Sequence, residues 1–444
     1  MIAKQYQDVS KSIETEIIRL TSPLKLAHYA WMCMFTSILI WGVGIGSHNA
    51  SSLGNTGNWY RMGFVFLAMA LTVIALGKNS SSAMRNTPAS IWLLLVYGTV
   101  AFFSSQLIPT HAFYVMWKAM EVILDVLIVV AIVGEKRPLD AIWKAYRIII
   151  GFFIFLLCSA WVGAILTPSL AFLPSRGSIP FTIQGSYPLQ NGNSLAFVSA
   201  LVVFSRVCQL FRTKKKRMLN FLLISAAFIT LILGQSRTSL VALFVALFVF
   251  FYFDKRKKYL LWVAVIGSPA IIYSGFTTLF SDYFMRSQSK ELFMSMSGRT
   301  HGWQVAWHSF LDNPVFGSGF AAAARTEILG VSGASTLHGA VFDVMVGVGL
   351  VGLIPWLTAI LISVLGIYRL RKIKHPWMES GIGRNIHAEM IGLFVLVGIR
   401  SGTSSGASMH ENTFMLLLVL IAYTGVLKKA LLSDKKVKGG NLRI

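Results

Sequence analysis

Charge is scarce in this sequence, and acidic charge scarcer still. Of 444 residues only 13% are charged, with 17 acids against 40 bases, while 55% are hydrophobic. A soluble domain of this length would still need a more heavily charged surface, so an ordinary soluble protein is excluded. Cysteine is nearly absent. Cys33, Cys158 and Cys208 lie in or beside apolar segments without metal-ligand spacing, which argues against a disulfide framework or a zinc site. The chain shows no His-Glu-x-x-His motif, no Asp-x-Asp pair that would hold a metal–nucleotide sugar, and no Ser–His–Asp order. Chemistry with no metal and no cofactor fits these absences. An internal repeat is also missing, which counts against transporters built from repeated halves.

What the sequence does have is long apolar runs. Segments of roughly 17–25 apolar residues, each long enough to cross a hydrocarbon core, recur from end to end, and the mean hydropathy is +0.65. The expected fold is an all-α polytopic membrane protein with about twelve transmembrane helices. Spans are read near 26–46, 62–77, 89–107, 112–134, 147–168, 193–211, 218–235, 238–253, 259–279, 338–367, 387–405 and 412–428. Residues 1–279 then hold helices one to nine. Residues 280–337 form a long periplasmic loop between helices nine and ten, and residues 338–444 hold the last three helices and a basic tail. The polar first 25 residues and the long first run predict an uncleaved signal.

The net charge of +23 could suggest nucleic acid, but the placement of the bases argues otherwise. Most lie in short connections between apolar runs. With the N-terminus in the cytoplasm, 31 of the 40 basic residues fall inside, eight fall outside, and Lys118 lies within a span. That asymmetry obeys the positive-inside rule and implies contact with anionic membrane lipids. Both termini are expected in the cytoplasm of a bacterial inner membrane, with no nucleic-acid partner.

The outer basic residues are Arg61, Arg176, Arg237, Arg286, Lys290, Arg299, Arg325 and Arg400, seven of the eight being Arg. Guanidinium stays charged when dehydrated and offers a planar fork that fits phosphate oxygens. Arginines kept on the disfavoured side therefore suggest an anionic partner there, the alternative being pairing with acids or headgroups. Arg237 stands in Gly234-Gln235-Ser236-Arg237-Thr238, a tight turn between two apolar runs. There it can meet a diphosphate whose lipid tail lies in the bilayer, or serve as a snorkelling anchor. His338, at the mouth of the run 338–368, suits a general base or a structural role. Gly347–Gly352 permits close helix packing and is not a nucleotide fingerprint, since no strand precedes it. Lys118, Glu121 and Asp125 share one helical face. A self-neutralising cluster is the preferred reading, with a substrate or proton path as the other. Trp303, Trp307 and Phe310 at helical spacing suit either an interfacial helix or packing within the loop.

Several segments together resemble the O-antigen ligase and polysaccharide polymerase superfamily. They are the hairpin Gly234–Leu240, the run Ser297-Gly298-Arg299-Thr300 with Trp303 and Asn313–Gly319, and His338 followed by Asp343 and Gly349–Gly352. Asn191–Ala196 adds an Asn-rich helix entry. The resemblance covers roughly residues 190–365, with Gly339 where members commonly have Asn after the His. It implies a periplasmic-face glycosyltransferase whose donor is a glycan on undecaprenyl diphosphate and whose acceptor is a hydroxyl on lipid A core or another glycan. A chain-length regulator would be a compatible partner. On this view Arg237, Arg299, Arg176 and Arg325 hold the diphosphate, and His338 is catalytic. Polymerase is slightly preferred to ligase, and a transporter or flippase of lipid-linked oligosaccharide is the competing class.

Overall fold

The structure, a computed structural model, describes residues 24–41, 56–107, 112–174, 179–213, 216–256, 258–259, 299–320, 339–373 and 375–438. Within them the chain is an all-α polytopic membrane protein. The long helices are α1 (Leu26–Trp41), α2 (Thr56–Asn86), α3 (Ala89–Phe103), α4 (Ala112–Val133), α5 (Pro138–Leu166), α6 (Gly192–Arg212), α7 (Arg217–Leu233), α8 (Arg237–Phe253), α9 (Arg299–Asp312), α10 (Ala340–Leu370), α11 (Gly381–Ser401) and α12 (Asn412–Lys438). Seven are long and apolar enough to cross a membrane, and α1, α7 and α8 are shorter apolar helices. The ninth expected span, 259–279, lies almost wholly outside the described residues, as does most of the long loop.

Each start and stop has a local cause. Pro138 opens α5 at a position where its missing N–H costs nothing. Asn191 caps α6 by accepting the Ser194 N–H at 2.8 Å, and Ser380 caps α11 by accepting from Gly383 at 3.0 Å. The second span is longer than its apolar stretch suggests. α2 runs 31 residues, with non-helical geometry at Asn79, and carries Lys78 and Arg85 on a helical extension instead of in a loop.

Burial sorts the helices into centre and rim. The most apolar windows of α11 and α12 are each 72% buried, against 28% for α2 and 33% for α10. The rim helices expose Phe66, Leu67, Val73, Ile354 and Leu361. Such side chains are stable facing acyl chains and would not be stable facing water in this number. Two small antiparallel hairpins, Phe172–Pro174 with Phe181–Ile183 and Gly185–Ser186 with Leu189–Gln190, lie between α5 and α6, and Ser186 packs against Gly163 near the end of α5.

A further interruption lies in α10. Gly349 interrupts α10 with φ +57 and ψ −159, a conformation essentially confined to glycine. The backbone of 314–318 fills the break. Ser318 N–H donates to the Val346 carbonyl at 2.7 Å, Leu350 N–H to Pro314 at 2.9 Å, and Val351 N–H to Val315 at 3.2 Å. Non-helical backbone at membrane depth is tolerated only where protein satisfies it, and here a connecting loop does so. The expected run 338–367 is therefore two helical pieces clamped by Asn313–Gly319.

Candidate functional site

The connections at one end of the bundle converge around the hairpin that joins α7 to α8. Gly234 ends α7, Gln235 takes φ +49, and Arg237 is the first residue of α8. The Gln235 side chain donates to the carbonyls of Ile179 (3.3 Å) and Phe181 (3.1 Å), which fastens the hairpin to the segment before α6. A Cβ on Gly234 would lie 2.7 Å from the Gly192 carbonyl oxygen, so the entry to α6 and this turn are in direct contact. Ser236 and Ser239 hydroxyls lie 2.9 Å apart. Arg237 is thereby held, half-buried, at a fixed place on the end of the bundle.

The entrance to α10 forms a second part of this end. A Cβ on Gly339 would lie 3.6 Å from both Trp303 Nε1 and the Gly402 carbonyl oxygen. Trp303 stacks on Phe342 with ring centroids 5.6 Å apart, while Ala306 and Phe310 pack against Met345 and Val346. The helix α9 thus docks on the first piece of α10, and Arg299 opens α9 one turn before Trp303. Trp307 is 49% and Phe316 62% exposed, so the opposite side of this subdomain keeps an apolar surface suited to an interface. Trp303 and Phe310 pack within the subdomain, and Trp307 stays exposed.

Arg400, at the last turn of α11, comes to the same end. It is buried, with its guanidinium over the Phe197 ring at 5.4 Å. α8 packs along α11, with Asp254 against Asn385 and Ala246 against Gly392, an antiparallel sense that brings the Arg237 end of α8 to the Arg400 end of α11. Arg400 was visible in sequence as one of the outer arginines, yet nothing there set it apart from the rest. His338, Arg176 and Arg325 lie outside the described residues, and for Arg299 only the backbone is described.

Beneath these connections lies a buried polar network. Glu121 pairs with Arg61 and with Lys118 (3.2 Å), and accepts from Trp117 Nε1 at 2.9 Å. Asp125 meets His410 Nδ1 at 2.6 Å, and His410 Nε2 lies 3.1 Å from the Ser37 hydroxyl. Asp343 accepts from Ser408 at 3.3 Å, and Tyr97 donates to the Ser408 carbonyl at 2.6 Å. Arg61 therefore neutralises an intramembrane acid, the alternative reading of an outer arginine. The Lys118–Glu121 pair neutralises itself, with Arg61 as an added cation. The Ser37–His410–Asp125 chain escaped the sequence because His410 lies hundreds of residues from its two partners. It has the order of a hydrolase triad but not its access: Ser37 is fully buried and donates to the Met34 carbonyl at 2.7 Å. It joins α1, α4 and the loop before α12.

Apolar helices of membrane-spanning length make this an integral membrane protein, with Arg237 and Arg400 at one end of the bundle among the described residues. Residues 221–357 match the model of the family described as O-antigen ligase, which places this segment in the O-antigen ligase and polysaccharide polymerase superfamily. The match runs from α7 through the Arg237 hairpin to just beyond the break in α10. It carries with it a glycosyltransferase-type activity on a lipid-linked glycan and a glycan acceptor. No curated protein matches the chain.

Proposed function

We propose that the protein transfers glycan from undecaprenyl diphosphate to a sugar hydroxyl at the periplasmic face of a bacterial inner membrane. The observation that carries this reading is the coincidence of two findings. The family match spans the Arg237 hairpin, and that hairpin shares one end of the bundle with the entrance to α10, where His338 immediately precedes Gly339 in the chain.

In this scheme Arg237 and Arg299, with Arg176 and Arg325, receive the diphosphate, and Arg400 adds to the positive potential. His338 takes the proton of the acceptor hydroxyl as its oxygen attacks the anomeric carbon. The bond from that carbon to the diphosphate oxygen breaks, and undecaprenyl diphosphate leaves with the electron pair. Guanidinium groups that bind the growing negative charge lower the barrier to this step. The sugar–diphosphate bond supplies the driving force, so the reaction draws on no nucleotide and no metal. An acceptor on another lipid-linked glycan makes the protein a polymerase, which the look of Gly298–Gly319 slightly favours. An acceptor on lipid A core makes it a ligase.

Reconstitution with a lipid-diphosphate glycan tests the proposal: new glycosidic linkages should form without nucleotide or added metal. Arg237→Ala and His338→Ala should each lower turnover by roughly a hundredfold or more at normal membrane levels. Full activity in both would remove their roles. Glycan ladders from a deletion strain separate the two acceptors. Single repeats on lipid A core mean lost polymerisation, and polymer left on the carrier means lost ligation. A flippase would instead need a broken helix that lines a cavity, whereas the α10 break is filled by the 314–318 backbone.

A further inference from the structure

At the opposite end of the bundle, away from Arg237, a cavity of about 640 Å³ opens between the end of α8, the end of α10 and the first turns of α11. That volume is in the range of small-molecule sites. Among the described residues Lys255, Arg371 and Arg384 line it, against the single carboxylate of Glu379. Tyr252 and Phe253 supply an apolar wall.

Helix-terminal dipoles explain part of this cationic character, because Lys255 and Arg371 follow the C-terminal ends of α8 and α10. They do not explain the rest. Arg371 lies over the rings of Phe253 (5.3 Å) and Tyr368 (4.8 Å), so its guanidinium is positioned by aromatic faces. Arg384 Nε lies 3.6 Å from Asp254 Oδ1, while Asp254 Oδ2 is engaged with Arg256 and Asn385. His387 also lines the cavity and is only 4% exposed, with the Ile367 backbone as a hydrogen-bond partner of its ring. One backbone contact engages one ring nitrogen and leaves the other for the cavity. A second cavity nearby, of about 490 Å³, is lined by Arg212, Arg217 and Arg256.

We propose that the cavity formed by Lys255, Arg371, Arg384 and His387 binds the phosphate ester of an anionic phospholipid from the adjoining leaflet. Guanidinium and ammonium groups receive the phosphate oxygens, His387 donates or accepts at the headgroup, and Tyr252 with Phe253 flank the glycerol and upper acyl chain. Basic pockets between membrane helices are suited to such headgroups. Free phosphate shares the chemistry but would leave the apolar wall unused. The inference stands independently of the proposed transferase reaction.

The test uses the full chain purified in neutral detergent, with thermal melts and native mass spectrometry. The additions are dioleoylphosphatidylglycerol, dioleoylphosphatidylcholine or inorganic phosphate, each alone. Phosphatidylglycerol should raise the melting temperature and remain bound, while phosphatidylcholine should do neither. Arg371→Gln/Arg384→Gln should weaken phosphatidylglycerol binding by roughly tenfold or more, and Arg371→Gln alone serves if the double variant does not fold. Arg217→Gln, in the neighbouring cavity, should keep the effect. Stabilisation by phosphate equal to that by phosphatidylglycerol would assign the site to a soluble phosphate and overturn the lipid. Equal effects of the two lipids, an undiminished effect in the cavity variants, or equal loss in Arg217→Gln would overturn the site.

Discussion

Glu121 shows how single side chains set the terms of this structure. It is completely buried between Arg61 and Lys118, and a charge at that depth survives only with its partners. Glu121→Gln leaves two buried cations facing a neutral amide, and should cost about 3–5 kcal/mol. Arg61→Gln/Glu121→Gln removes one cation together with the acid and should recover part of that loss. Melting temperatures of the purified variants check both, and equal destabilisation would show that the pair is not coupled. Lys118 and Glu121 were legible beforehand, since i, i+3 spacing puts them on one helical face. Arg61 was not assigned to them, because sixty residues of chain separate it from Glu121 and no periodicity links two helices.

At the scale of elements, the decisive feature is the insertion of Asn313–Gly319 into α10. Gly349 and Gly317 meet there, with φ of +57 and +71. A Cβ on Gly317 would lie 2.6 Å from Gly349 N and from the Val346 carbonyl oxygen, and one on Gly349 would collide with Val315. Backbone strain alone at such a position is about 1–3 kcal/mol, and the collisions add to it. Gly317→Ala and Gly349→Ala should both lower thermal stability, and activity should fall at least as steeply, because this junction supports the α10 entrance. Wild-type melting in either variant would contradict the clamp. Gly347–Gly352 was read as a surface for close packing. The sequence contains the glycines, but a break in a helix and a small-residue packing face have the same composition, and only the docked loop distinguishes them.

For the whole molecule, the central claim is orientation. The Arg237 end and the arginine-lined cavities lie at opposite ends of the same helices, and the proposed reaction takes the Arg237 end as periplasmic, as the distribution of Lys and Arg predicts. Gln288→Cys and Asp434→Cys, each in a chain freed of its three native cysteines, test this in intact cells. A membrane-impermeant maleimide that crosses only the outer membrane should label Gln288→Cys and spare Asp434→Cys. The reverse pattern would place the transferase site in the cytoplasm and end the proposed reaction.

Lengths of apolar runs determined the all-α polytopic membrane class, because hydrocarbon thickness and backbone hydrogen bonding leave a membrane segment few options. The same reasoning reached the Arg237 hairpin, where two spans leave almost no loop between them. Tertiary structure alone decided which arginines are already paired, where α10 breaks and what fills the gap, and that Ser37, Asp125 and His410 meet. Those outcomes depend on which helices become neighbours. In a bilayer every helix is apolar, so hydrophobicity does not choose the neighbours; packing shape and a few buried polar contacts do.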